Sequence, residues 1–376
     1  MNKDARILVT GAAGFIGGWI TESSYARGYT NVRAGVRKWA GAARIARFPV
    51  DIVLCDVMKP ADVARAMEGV DVVVHCAIGS KEVNVKGTEH LLDAALKAGV
   101  RRFVHFSTVD VYGTAEGQIG ESTPFQHTGS DYGDSKIEAE GLCARYHELG
   151  LPVVIFRPSI VYGPYCKLWI SKFAERLSSG NWGTFEKIGE GTCNLIYIED
   201  LIDAIFLAMN DEKAVGQTFN LNGPEMITWN EYFRRLNAAL GLPPLRVIGF
   251  GTSKLRTRVM TPLKSAARFV MNNYGETVKA LYRKSAIVQR FMKGTEQSMK
   301  TTPGPGELSM FGRKPAFDIA KITSLLGFRP RFGVDKGIDL STRWYAHESG
   351  ITHELIASRW NTRQQQPLRR QPESQA

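Results

Sequence analysis

Short, uninterrupted apolar runs alternate with stretches whose apolar residues fall three and four apart, and the alternation continues from the first residues to about position 222. Ile7–Val9 is the first run, and Thr10-Gly11 closes it with turn chemistry. Val32–Arg37, Asp51–Leu54, Asp71–Ala77, Arg102–Thr108 and Leu151–Phe156 repeat the pattern. Strands apolar at successive positions are buried on both faces, the mark of a parallel sheet covered by helices. Between them, Val83–Ala98 carries Leu91, Leu92, Ala95 and Leu96 on one helical face, and Tyr132–Ala144 reads as a second helix. Short strands over Asn194–Asp200 and Thr218–Asn222 follow, around a helix over Leu201–Met209. This order predicts an α/β fold with a doubly wound parallel sheet. Past Gly241 the pattern changes: Ser253–Lys300 has helical apolar spacing broken by Pro262 and Gly275, which predicts a smaller, mainly helical C-terminal region. From about Thr362 the chain has the Gln-, Arg- and Pro-rich composition of a disordered tail.

Gly11, Gly14 and Gly17 follow the first strand at intervals of three. Without Cβ atoms they permit a tight turn, approach of backbone N–H groups to a pyrophosphate, and close packing of the next helix. The N-terminus of that helix favours an anion. These features predict a Rossmann-type dinucleotide site. The second strand ends in Arg37-Lys38, where an acidic residue would bond the ribose 2′-hydroxyl of NAD and where two cations suit the 2′-phosphate of NADP. NADP is therefore the expected cofactor, with NAD as the alternative. Asp56 closes the third strand and is placed to accept from the adenine amino group. Thr10, Phe15, Ile16, Val57, Cys76, Ala77, Ser107 and Pro158 complete the expected cofactor-binding set, together with Tyr132 and Lys136.

The run ending in Ser107-Thr108 opens into the crevice where such sheets bind ligands, and Asp110 and Tyr112 follow it. Tyr132 and Lys136, four apart, share one helix face. A strand-end hydroxyl with a Tyr and a Lys from a helix, behind a nucleotide loop, is a candidate catalytic group. The expected organisation is a nucleotide-binding domain over 1–165, completed by 194–222, and a substrate-binding region over 166–193 and 223–346, with a basic helical insertion at 253–300 and a tail at 362–376.

Composition adds boundaries. The 376 residues are 44% hydrophobic and 23% charged, as in soluble globular proteins. No apolar run approaches a membrane span, and the first strand begins at once, so a cytoplasmic location is expected. The five cysteines show no C-x-x-C pair or metal-ligand spacing; they read as reduced core thiols, and no metal is expected. Most of the net charge of +11 lies in 253–300, which holds eleven Lys and Arg against two Glu. That segment reads as a cap with solvated cations, as a peripheral contact with anionic lipid at the inner membrane surface, or as a trap for an anionic substrate. No nucleic-acid reader motif accompanies it.

The motifs TGAAGFIG at Thr10–Gly17, CDV at Cys55–Val57, HCA at His75–Ala77, RRFVHFSTVDVYG at Arg101–Gly113, YGDSK at Tyr132–Lys136, RPSIVYGP at Arg157–Pro164 and YIEDLIDAIFLAM at Tyr197–Met209 appear in this order. Together the chain resembles the extended short-chain dehydrogenase/reductase superfamily, and within it the NAD-dependent epimerase/dehydratase family. The resemblance implies that Tyr132 is the acid/base at the substrate oxygen, that Thr108 bonds that oxygen, and that Lys136 holds the nicotinamide ribose and favours tyrosinate. It also implies an oxidoreductase acting on a small molecule, with a homodimer as an open option. Two departures bear on the substrate: Ile160 stands where many nucleotide-sugar members have an amide, and Asn194 where many have an Arg. The interval from Ala77 to Asn84 is also short. In these respects the chain is similar to the ketone reductase and hydroxysteroid dehydrogenase-like branches, with a hydrophobic ketone or alcohol as substrate. A nucleotide-sugar epimerase or dehydratase is the alternative, and a non-catalytic NADP-binding protein a third reading.

Overall fold

The computed structural model describes residues 2–252, a few positions between 255 and 273, and 301–350. The expectations for the greater part of 253–300 and for the tail 362–376 therefore lie outside the described residues. The chain divides into two compact units, the first comprising residues 1–162, 194–226 and 313–334, the second the remainder.

The first unit is built on seven parallel strands. In chain order these are β1 (Ile7–Thr10), β2 (Val32–Val36), β3 (Asp51–Leu54), β4 (Val72–His75), β5 (Arg102–Phe106), β7 (Val153–Pro158) and β11 (Thr218–Leu221), with a short β6 (Gly117–Ile119) outside the sheet. Their spatial order is β11-β7-β5-β4-β1-β2-β3, so the chain reverses direction across the sheet between β1 and β4. Ligands bind in such sheets outside the C-terminal ends of the strands at this reversal. Helices α1 (Phe15–Ala26), α2 (Pro60–Met67), α3 (Lys81–Lys97) and α4 (Asp131–Glu148) connect the strands.

Leu8, Val73, Phe103 and Val153 are register partners in one row across β1, β4, β5 and β7, and they pack with Val63, Met67, Leu91, Leu92 and Cys143 of α2, α3 and α4. Two residues further along, on the same face, the row becomes Thr10, His75 and His105. The apolar core thus turns polar at the strand ends, where the expected site lies.

The sequence reading grouped residues 223–346 together; the structure places 313–334 in the first unit instead. Pro315–Phe317 pairs in parallel with β6, and the buried Asp200 carboxylate accepts the backbone N–H groups of Arg331 (2.8 Å) and Phe332 (3.1 Å). Both are pairings distant in sequence, which no local pattern records.

The second unit, among its described residues, has an aromatic core. Phe173 of α5 (Lys172–Ser178), Trp229 and Phe233 of α7 (Trp229–Ala239), Trp182 and Phe311 pack with ring centroids such as Trp229–Phe311 at 4.8 Å and Phe173–Phe233 at 5.4 Å. Thr257 donates to the carbonyl of Pro303 at 3.0 Å, 46 positions away, so the chain leaves for the basic stretch and returns at one point. The returning strand of chain is then clasped: Glu307 accepts from Lys172 (2.8 Å), Arg176 (2.8 and 3.1 Å) and the Gly304 N–H (2.9 Å). Burial pushes this carboxyl up, but the bonds and charge of Arg176, then Lys172 and Gly304, outweigh it and bring it down to about 2. A carboxyl depressed on folding contributes stability above its unfolded value near 4.5 and loses it as pH falls toward 2. Glu307→Gln is expected to cost about 2 kcal/mol at neutral pH, after allowing for the exposure of Lys172, and to flatten acid destabilisation between those two values. Urea titrations at pH 7 and pH 3 check it: the same loss at both would contradict the assignment.

Candidate functional site

The turn from β1 into α1 is closed by Gly14 N–H donating to the Gly11 carbonyl at 2.8 Å. Gly11 has φ +66°, and a Cβ there would lie 2.8 Å from the Ala77 nitrogen; a Cβ on Gly17 would lie 2.4 Å from the Gly11 oxygen. The loop is therefore compressed against both the β4 end and the helix it feeds. α1 starts at Phe15 and Ile16 with no capping side chain and no acidic residue in its first turn, which leaves its N-terminal amides open to an anion.

Beneath the loop runs a chain of hydrogen bonds whose directions follow from donor counts. The Thr88 hydroxyl donates to the Asn84 carbonyl (2.6 Å), so it accepts from His75 Nε2 (3.0 Å). His75 Nδ1 is then the acceptor for the Thr10 hydroxyl (2.8 Å). Burial pushes His75 down to about 3, which keeps the imidazole neutral. The Asn84 amide in turn accepts from Gly79 N–H (3.0 Å) and donates to Ser135 Oγ (3.0 Å), which donates to the Tyr132 carbonyl (2.9 Å). The relay links the glycine loop to the first turn of α4. The sequence reading did not find it: His75 ends a valine run that reads only as a strand, and its partner stands 13 positions away on a helix.

On the β2 side, Arg37 and Lys38 are exposed and make no ion pair among the described residues. Asp56 is partly buried and accepts the Met58 N–H at 3.1 Å. Val57 is buried, with its side chain beside Gly87 of α3. Cys76 and Ala77, partly buried, follow β4 and face Gly11.

On the other side of the reversal, α4 is started by Ser130, whose hydroxyl accepts the Gly133 N–H, and by Asp134, which accepts the N–H groups of Thr128 (3.1 Å) and Gly129 (3.0 Å). This fixes Tyr132 in the first turn. Tyr132 is 36% exposed, and its phenol lies near the Thr108 hydroxyl, whose oxygen accepts the Asp110 N–H at 3.2 Å. Burial pushes Tyr132 up to about 12, the Asp110 carboxylate adds to this, and the Thr108 bond opposes it. Lys136 is buried and donates to the Phe106 carbonyl at 2.6 Å; burial brings it down to about 8, against the influence of Cys143, Cys76 and Glu140. Lys136 is thus committed to a backbone carbonyl here, and burial is what pushes Tyr132 up.

Ser107 Oγ, buried at the β5 end, has no hydrogen-bond partner among the described residues, and Pro158 is buried at the end of β7. Sequence reasoning passed over Asp110 as a neighbour of Tyr132; its carboxyl is pushed up by burial, with Arg313 opposing. The structure brings together Thr108, Asp110 and Tyr132, with Lys136 one turn behind, and the glycine loop with Cys76 and Ala77.

A sequence model of the NAD dependent epimerase/dehydratase family matches residues 7–222. A UDP-glucose 4-epimerase of Vibrio cholerae is 31% identical over 63% of this chain and 76% of its own length. A 3-beta-hydroxysteroid dehydrogenase of Mycolicibacterium neoaurum is 27% identical over 73% of this chain and 85% of its own. Among solved structures, a dTDP-glucose 4,6-dehydratase from Streptomyces venezuelae with NAD bound superposes with TM-score 0.68 at 25% identity, covering 93% of this chain and 99% of that one.

Proposed function

From the premise that this chain belongs to the NAD dependent epimerase/dehydratase family, we propose that it is an NADP-dependent oxidoreductase interconverting a secondary alcohol and a ketone, with Tyr132 as the acid/base. The observation that carries the reading is the placement of Thr108 beside Tyr132 at the C-terminal ends of the parallel strands, next to a loop compressed against β4. The residues present fit a dinucleotide: three glycines where a Cβ would meet backbone, uncapped amides at the start of α1, and two exposed cations at the end of β2. A bound nicotinamide supplies the hydride. The chain's own part is the proton. Tyr132, protonated at neutral pH, donates to the substrate oxygen as it gains charge, Thr108 fixes the direction of the phenol, and the charged Lys136 biases the neighbourhood toward an anion.

A ketone or alcohol is favoured over a sugar nucleotide by Asn194, whose amide donates to the Pro315 carbonyl (2.9 Å) and accepts from Asn222 (3.1 Å), leaving it committed to the first unit. The epimerase reading rests on the Vibrio cholerae relative. Net NADPH consumption distinguishes the two, since an epimerase returns its hydride. A screen of ketones, hydroxysteroids and UDP-glucose by NADPH absorbance tests the proposal; turnover of UDP-glucose with no net oxidation would replace it.

NADP is expected to bind more tightly than NAD because Arg37 and Lys38 meet the 2′-phosphate. A charge-assisted contact of this kind is worth roughly 1.5–3 kcal/mol, so Arg37→Ala should weaken NADP by about ten- to a hundredfold and leave NAD unchanged by calorimetry. Equal affinities in the parent protein would remove the NADP assignment. A contact of the basic stretch with anionic lipid and a homodimer are carried as further parts of the proposal; no helix among the described residues is long and apolar enough to cross a membrane.

A further inference from the structure

A second buried charge system lies behind the proposed site, on elements that carry its residues. Arg157 of β7 and Glu140 of α4 are 5% and 4% exposed and bond along one guanidinium edge, Nε to one carboxylate oxygen at 2.9 Å and Nη2 to the other at 2.6 Å. The remaining guanidinium nitrogen donates to the Tyr112 hydroxyl (2.8 Å) and to the Glu121 carbonyl (3.1 Å). The Tyr112 hydroxyl donates in turn to Asn220 Oδ1 at 2.6 Å. Asn220 is the register partner of Arg157 on β11, so the circuit closes on the sheet that began it.

The placement decides what the circuit does. Glu140 stands one turn after Lys136 and two turns after Tyr132 on α4. Tyr112 ends the single 3₁₀ turn Val109–Tyr112, which Thr108 caps. Arg157 therefore holds, by one planar fork, the helix that bears Tyr132 and the turn that bears Thr108. A buried pair of this kind adds little net stability over apolar packing, because desolvating both charges costs about as much as their attraction returns. What it adds is direction: a bidentate fork fixes two elements at one angle.

We propose that Arg157, through Glu140 and Tyr112, is a positioning residue that sets how Thr108 meets Tyr132. The inference rests on the proposed role of Tyr132, but it concerns geometry and can be read without turnover. Difluorotyrosine placed at position 132 is a stronger acid than tyrosine, which brings its ionisation down from the alkaline range of Tyr132, and its absorbance reports that contact. Thr108→Val should raise its pKa by roughly half to one unit, the value of one lost hydrogen bond. Tyr112→Phe keeps the ring stacked on Phe317 and removes only the hydroxyl. It should raise the pKa by a comparable fraction in the parent background and by nothing further when Thr108 is already Val, the non-additivity expected of one shared contact. Arg157→Lys, which loses the fork, should act in the same direction if it folds.

No shift in Tyr112→Phe, or a shift that adds in full to that of Thr108→Val, would overturn the proposal and leave the circuit a structural fastening. Turnover of Tyr132→Phe at the parent rate would instead remove the acid/base reading, and the pKa cycle would still decide the positioning claim.

Discussion

Replacing Tyr132 by Phe is expected to lower turnover by roughly a hundred- to ten-thousandfold, the usual contribution of a positioned acid/base. The phenol sits in the first turn of α4 near Thr108, and burial, which pushes its pKa up to about 12, keeps the proton in place until the substrate oxygen becomes more basic than tyrosinate. The substitution removes one oxygen and leaves the ring, so the surrounding fold should hold. Dinucleotide affinity should change by no more than about twofold, since uniform binding and transition-state chemistry are separable in kcat and KM. A variant that kept its rate would show that the proton comes from elsewhere, with Asp110 as the nearest other acid.

The second large effect is expected at Gly17. An alanine there puts its Cβ 2.4 Å from the Gly11 oxygen and 2.8 Å from its carbonyl carbon, and both belong to backbone that cannot rotate away. The start of α1 has to move off the loop, and with it the amides that would meet the pyrophosphate. Overpacking of this kind costs about 1–3 kcal/mol of stability. The loss of dinucleotide affinity should be larger, about a hundredfold or more, because the third glycine sets the helix–loop distance on which the anion site depends. Calorimetry with NADPH and thermal melting of the same preparation separate the two. Unchanged affinity in a folded variant would mean that the dinucleotide does not lie on this loop.

How far such residues could be read beforehand depends on the range of their interactions. The strands β1, β2, β4, β5 and β7 were legible because they are buried on both faces, so each is apolar at most of its positions. The three-residue β6 was not, because so short a strand has no period, and its partner at Pro315–Phe317 lies far along the chain. The glycines were legible from spacing, and the polar residues after β5 from their position at a strand end. The relay from Thr10 through His75 was hidden inside an apolar run, and Arg157 and Glu140 look in sequence like ordinary surface charges. Their burial is decided by elements that meet only in the folded sheet. The Lys136 contact was hidden for a related reason: spacing puts Lys136 on the Tyr132 face of the helix but does not say that the Phe106 carbonyl accepts from its ammonium.

The hydrogen bond from Thr257 to Pro303 bears on how long the intervening chain can be. Where departure and return points coincide, the length of what lies between is almost thermodynamically silent, since closure entropy grows only as the logarithm of length and a doubling costs about 0.6 kcal/mol. On closure entropy alone, a change in the number of residues between these two points costs the fold little. The clasp of Glu307 on Arg176 and Lys172 isolates that interval further by fixing the chain just beyond the join. The eleven Lys and Arg of 253–300 thus fall almost wholly in an interval whose length is, by closure entropy, nearly free to vary.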